Sequence, residues 1–317
     1  MVESTNKEEK KELSETNKGK IEYYEKIKKY LREPVIIGAI VVALAVIFGS
    51  YMISESIAKF QLTSGGLSGS PKSLLESYLQ TLPVVPLPNI TEINPTYGDP
   101  NNANVIVYEY TDYQCPYCDR FHITTFDQIS ENYINTGKIA WVHKDFPLSF
   151  HQYSYLVTQY LTCVYKLYGF KTWNVFQNWS WYNYGLSGGV SWATLPNESA
   201  VYEAFNKEAE NLGLDVNKIK ECVDSKTYFN QIVQGVEEAT NVYGVSGTPT
   251  FIVAVKTSSI DYNAIQQVQN VLNQLRQYGL SYTIYRTPDN KYILIEFAGA
   301  LPYYYFDQIF RALTTKS

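Results

Sequence analysis

The chain has 317 residues, a net charge of -5 and 45% hydrophobic residues. That length and apolar content suffice for a buried core, in one large domain or two small ones. The mildly acidic balance carries no nucleic-acid signal, so no nucleic-acid partner is expected. Tyrosine, with 29 residues against 26 Lys plus Arg, reads as a hydroxyl-rich outer surface.

Residues 1–34 hold nine basic and eight acidic residues and few large apolar ones. They cannot build a core. Residues 35–54, VIIGAIVVALAVIFGSYMIS, carry no charge and are long enough to span a bilayer as one helix. A cleaved signal peptide has a shorter apolar region, nearer the N-terminus. Lys26, Lys28, Lys29 and Arg32 precede the span, and only Lys59 and Lys72 follow before residue 75. The positive-inside rule therefore predicts a single-pass protein of the cell membrane, in contact with its lipid. Its N-terminus is cytoplasmic and the rest lies outside, where disulfides persist. The tripeptides beginning at Asn89, Asn178 and Asn197 are glycosylation candidates on that side.

Residues 55–97, rich in Gly, Ser, Pro and Asn, read as an extracytoplasmic stalk with one short helix near Ser73–Leu79. A folded α/β domain is expected over 98–317. Strand-like runs lie at 105–110, 139–144, 250–255, 282–286 and 292–297. Between the second and third lies a stretch, about 151–243, with helical spacing and four of the five tryptophans.

Cys115-Pro116-Tyr117-Cys118 falls between the first strand and a helix-like run. That junction places Cys115 at a helix N-terminus, where free N–H groups and the helix dipole stabilise a thiolate. Cys118, one turn on, can close a disulfide with it, which suits reversible thiol exchange. Cys115 is the candidate nucleophile, exposed and acidic, and Cys118 the resolving thiol. The alternatives are half of a metal site or two inert thiols. A structural zinc needs four ligands, and the chain has four cysteines and three histidines without finger spacing. No metal or cofactor is expected. His122, four residues after Cys118, could tune a thiolate but reads rather as an ordinary helix-surface histidine. Cys163 and Cys222 are left over in an exported chain with an even cysteine count, giving either a structural disulfide or two buried thiols.

The run Glu109-Tyr110-Thr111-Asp112-Tyr113-Gln114-Cys115-Pro116-Tyr117-Cys118 resembles the active-site strand and helix start of the DsbA family of thioredoxin-fold oxidoreductases. Gly247-Thr248-Pro249-Thr250-Phe251-Ile252 is similar to that family's cis-proline loop, and Lys144-Asp145-Phe146-Pro147-Leu148 and Gly98-Asp99-Pro100 also fit. The resemblance implies a thioredoxin fold with an inserted helical domain. It implies a cis Pro249 beside the cysteine pair, flanked by Thr248 and exposing strand-edge backbone to a substrate peptide. It implies that Glu109 is a buried acid of raised pKa that relays the proton of Cys118; by pattern alone Glu109 is a plain strand residue. The activity implied is donation of a disulfide to exported proteins with free thiols. A quinone-linked membrane protein of the DsbB or vitamin-K-epoxide-reductase type would reoxidise the pair. The same scaffold also suits a reductase or isomerase. A tethered binding module or metallochaperone is the reading from a different class. Residues 256–290 depart from the family pattern, as an extra sheet-edge strand or a partner surface.

Overall fold

The computed structural model describes residues 70–185 and 191–315. The charged tail and the apolar span at 35–54 lie outside them, and no helix among the described residues is long and apolar enough to cross a membrane.

Six strands form one mixed sheet in the order β1-β3-β2-β4-β6-β5. They are β1 (Thr96–Tyr97), β2 (Val105–Thr111), β3 (Ala140–Asp145), β4 (Thr250–Lys256), β5 (Tyr282–Arg286) and β6 (Tyr292–Ala298). β2 pairs parallel with β3 and antiparallel with β4, and Glu109 stands opposite His143 on one side and Phe251 on the other. β2 and β3 are buried on both faces and carry no exposed residue. This is why neither shows an alternation of apolar and polar residues, although Glu109, His143, Lys144 and Asp145 are buried among them.

One face packs Val105, Val107, Trp141, Phe251 and Val253 against three helices: α1 (Pro71–Leu79), α7 (Tyr262–Arg276) and α8 (Tyr303–Thr314). The opposite face packs Ile106, Tyr108, Tyr110 and Ile252 against Ala239 and Tyr243 of α6 (Phe229–Tyr243). The helical insertion is thus narrower than 151–243. Its own core joins α3 (Ser154–Tyr182), α4 (Glu198–Asn211) and α5 (Val216–Asp224), through Tyr160, Phe176, Trp181, Trp192, Phe205 and Ile219. α6 belongs to the sheet, because its apolar stripe meets the strands. α3 is two helical pieces joined at Gly169, whose φ of 80° suits a residue without Cβ.

Two further expectations are corrected. Residues 70–97 are not a stalk: α1 buries Leu75 and Leu79 in the sheet core, Val85 and Ile93 are buried, and β1 extends the sheet. Proline-rich backbone folds here because its large apolar side chains find a core. The tyrosines are not confined to the surface either. Tyr108, Tyr110, Tyr113 and Tyr160 are fully buried. A tyrosine ring is an apolar body, and the hydroxyls of Tyr113 and Tyr160 find His143 and Asn206 as partners. Residues 256–290 supply α7, which covers one face, and β5, which pairs with β6 at the sheet edge. The outer side of β5 is partly covered in turn, because Arg286 exchanges backbone bonds with Pro83 and Val85.

Candidate active site

β2 ends at Thr111, and the four residues before α2 (Pro116–Phe121) are tied down by one side chain. Asp112 is fully buried. Its Oδ1 accepts from the Gln114 N–H at 2.8 Å and the Ser154 hydroxyl at 2.6 Å. Its Oδ2 accepts from the Leu148 N–H at 2.9 Å and meets Nδ1 of His151 at 2.7 Å. That hydrogen bond raises the His151 pKa. Gln114 continues the lock: its side chain accepts from the Tyr153 N–H at 2.6 Å, and its carbonyl accepts from the Tyr184 hydroxyl at 2.9 Å.

Cys115 is the N-cap of α2, in extended backbone, with Pro116 at the first helical position. Cys115 and Cys118 are both free thiols. A hydrogen bond from Cys118 is the largest influence on Cys115. It outweighs burial, and with the Thr248 hydroxyl and the N–H groups of Cys118 and Tyr117 it lowers the Cys115 pKa to about 6. Burial, and then the neighbouring Cys115, push the Cys118 thiol well above its ordinary value. The expectation of an exposed Cys115 is corrected: it is 3% exposed, because the pair joins the buried cluster that also holds Tyr113, Trp181 and Trp192. The Thr248–Pro249 peptide is cis, and the Cys115 thiol donates to the Thr248 carbonyl at 3.4 Å. Four of the five expected catalytic residues, Cys115, Cys118, Thr248 and Pro249, therefore meet at one place.

Glu109 is fully buried within β2, the strand that leads to the cysteine pair. Its Oε1 lies 2.8 Å from Nε2 of His122, and its Oε2 accepts from the Trp141 indole at 3.0 Å. Burial pushes its pKa up, but the charge and hydrogen bond of His122, with help from His143 and Trp141, carry the net shift below the ordinary value. The expected raised pKa is thus corrected: the contacts with His122, His143 and Trp141 outweigh desolvation. His122 is corrected with it. It is buried, not a surface residue, and it opens a π turn (His122–Phe126) with its ring stacked 4.5 Å from Trp181. Trp181 also stacks on Tyr113 at 4.8 Å. Asp112, Asp119 and Tyr184 were missed as site residues; of these, only Asp112 stood inside the motif run.

Cys163 and Cys222 are bonded to each other, with their Cα atoms 6.0 Å apart. The three sequons sit differently. Asn89 is exposed in an extended segment, Asn178 is half-buried within α3, and the Asn197 side chain caps α4 by accepting from the Ala200 N–H at 2.9 Å. No group of three His, Cys, Asp or Glu among the described residues has metal-ligand geometry.

A family model described as thioredoxin matches residues 91–273, more than half of the chain. The chain belongs to the thioredoxin family. A provisionally named protein-disulfide oxidoreductase of Rickettsia felis is 26% identical over 165 residues, 51% of this chain and 54% of that protein. A similarly named protein of Rickettsia prowazekii is 46% identical over 44 residues, 14% of this chain and 16% of that one. The chain thus spans about half the length of the first relative and a smaller part of the second. Among solved structures, alpha-DsbA1 of Wolbachia pipientis superposes with a TM-score of 0.51 at 21% identity, over 77% of this chain and 96% of its own. That likeness is one of fold.

Proposed function

We propose that this thioredoxin-family protein is a thiol–disulfide oxidoreductase that donates the Cys115–Cys118 disulfide to exported proteins. One observation carries the reading: two thiols one helical turn apart have acidities shifted in opposite directions, Cys115 down to about 6 and Cys118 up. A substrate thiolate attacks Cys115 Sγ, the Sγ–Sγ bond breaks, and Cys118 leaves with the electron pair and takes a proton. A second substrate thiolate then attacks the substrate sulfur of the mixed disulfide, and Cys115 leaves as thiolate. The substrate is oxidised by two electrons and the protein reduced by two. A thiol of low pKa is a good leaving group and a stable thiolate, which favours donation over reduction. Thr248 and the cis Pro249 border the attacked sulfur, and the substrate peptide would lie along them.

The protein acts, on this reading, at the outer face of the cell membrane, held by residues 35–54 and facing away from the cytoplasm. The charge asymmetry around that span supports it. A quinone-linked membrane protein of the DsbB or vitamin-K-epoxide-reductase type would restore the disulfide. Titration of the pair against glutathione buffers tests the direction. A potential well above that of thioredoxin, about -270 mV, is expected for a donor. A potential at or below that value would make the protein a reductase.

A further inference from the structure

We propose that Asp119 sets the redox poise of the Cys115–Cys118 pair: ionised, it opposes the Cys115 thiolate from one helical turn away, and neutral, it leaves that thiolate undisturbed. The inference rests on the redox reading above and concerns a residue which that reading does not use.

Asp119 follows the resolving cysteine, and its N–H donates to the Cys115 carbonyl at 3.0 Å. That backbone bond sets Asp119 one helical turn beyond Cys115. An aspartate in the first turn of a helix next to Arg120 would be expected to face water. This one is fully buried, and neither carboxyl oxygen has a hydrogen-bond partner among the described residues. A carboxylate without partners in such a place is costly, and the group answers by holding its proton. Burial pushes the Asp119 pKa up to about 7. The charge therefore switches within the range in which thiol exchange runs.

The surrounding groups leave Asp119 alone in this role. On α2 itself, Arg120 turns to the Tyr117 ring, 5.2 Å from its centroid, and His122 is engaged by Glu109. In the loop before the helix Asp112 is held by four hydrogen bonds, one of them to His151 from the loop after β3. From the segment after α3, Tyr184 spends its hydroxyl on the Gln114 carbonyl. Burial, then Cys115, Asp119, Asp112 and Cys118, raise the Tyr184 pKa to about 12, which puts Asp119 and both thiols around the same ring. The cis-proline loop brings the uncharged Thr248.

The sign follows. The disulfide is neutral, whereas the reduced pair carries an anion at Cys115. A second anion one turn away disfavours the reduced form and leaves the oxidised form almost untouched. Above about pH 7 the wild-type disulfide is therefore harder to reduce than it would be without Asp119. Below that pH the two are alike. Reduction of the disulfide by two glutathione molecules yields glutathione disulfide, one Cys118 thiol, the Cys115 thiolate and one proton. That proton goes to water, or to Asp119 when it is ionised.

The test is the equilibrium of the full chain with glutathione buffers at about pH 5.5 and about pH 8, read by mass after acid quench and alkylation. Asp119→Asn is expected to raise the reduced-to-oxidised ratio roughly tenfold over wild type at the higher pH, the size of a one-unit like-charge effect, and by less than about twofold at the lower. Asp119→Leu, which suits a buried site should the amide disturb folding, is expected to behave as Asp119→Asn. Asp119→Glu is expected to keep the wild-type trend. Asn and Leu variants that parallel wild type at both pH values would overturn the role of Asp119. A wild-type protein that forms no reversible Cys115–Cys118 disulfide with glutathione would instead overturn the redox reading itself.

Discussion

Glu109 and His122 are hydrogen-bonded inside the protein, Oε1 to Nε2 at 2.8 Å, with no exposure at the carboxylate and 4% at the imidazole. The pair joins the central strand β2 to the first π turn of the helix that carries both thiols. A buried pair of this kind gives little net stability over an apolar pair but is costly to break, because the survivor keeps its desolvated charge.

His122→Ala should therefore destabilise the reduced protein by roughly 3–5 kcal/mol, since it strands the Glu109 carboxylate with Trp141 alone. Glu109→Gln should cost less, about 1–3 kcal/mol, because an amide keeps neutral hydrogen-bonding capacity. The Glu109 pKa is depressed on folding, so its contribution is present above its ordinary value of 4.5 and is lost as pH falls through the lower folded value. Urea melts from neutral to acid pH check this. Melts in which both variants stay within about 0.5 kcal/mol of wild type would show that the pair is not a coupled unit.

The Cys115 thiolate should appear in the absorbance at 240 nm with a midpoint of about 6 in the reduced protein, and vanish in Cys115→Ser. Its stabilisation of the reduced fold is complete above the ordinary thiol value of 9.0 and is lost as pH falls through about 6. Because Cys115 is only 3% exposed, iodoacetamide should react faster with it than a bulky maleimide does. Cys115→Ser should abolish insulin reduction and peptide oxidation, whereas Cys118→Ser should accumulate mixed disulfides. Activity retained in Cys115→Ser would remove the proposed nucleophile.

The strands were legible because they are short runs rich in β-branched and aromatic residues between turn residues. The expected 282–286 is Tyr282–Arg286, and 105–110 is Val105–Thr111. Cys115, Cys118, Thr248 and Pro249 were legible because local motifs at two chain positions carry them. What stayed hidden depends on contacts between distant elements. His122 looked like a surface residue because nothing local shows that Glu109, 13 residues back, lies above it across the strand–helix layer. Asp119 drew no reading from the sequence, because nothing local shows that its turn is fully buried. The segment 70–97 looked like a stalk because its proline content masks Leu75, Leu79, Val85 and Ile93, which enter the core at irregular spacing.

The Cys163–Cys222 bridge closes a loop of sequence separation 59 between α3 and α5. Chain entropy gives it about 4 kcal/mol of stabilisation. Replacing both cysteines by Ala should lower the denaturant midpoint accordingly and leave the Cys115 thiolate titration in place, since the bridge itself does not titrate. A double variant as stable as the oxidised wild type would mean that the insertion core holds α3 and α5 together without it.

Leu75 tests where the folded domain begins. It lies on α1 at 4% exposure, in the same core as Val107, Phe251 and Leu272. Leu79 follows it one turn later at 6%. Ser70 caps the helix by accepting from the Ser73 N–H at 3.3 Å, and Pro71 starts it. A side chain removed from a packed core loses its transfer free energy and leaves a cavity, so Leu75→Ala should cost roughly 2–4 kcal/mol. The same change in a solvated linker would cost almost nothing. Leu75→Ala and Leu79→Ala, followed by guanidinium unfolding monitored at the tryptophans, separate the two cases. Midpoints unchanged in both variants would return residues 70–97 to the role of a spacer, whereas the expected losses place α1 within the folded domain.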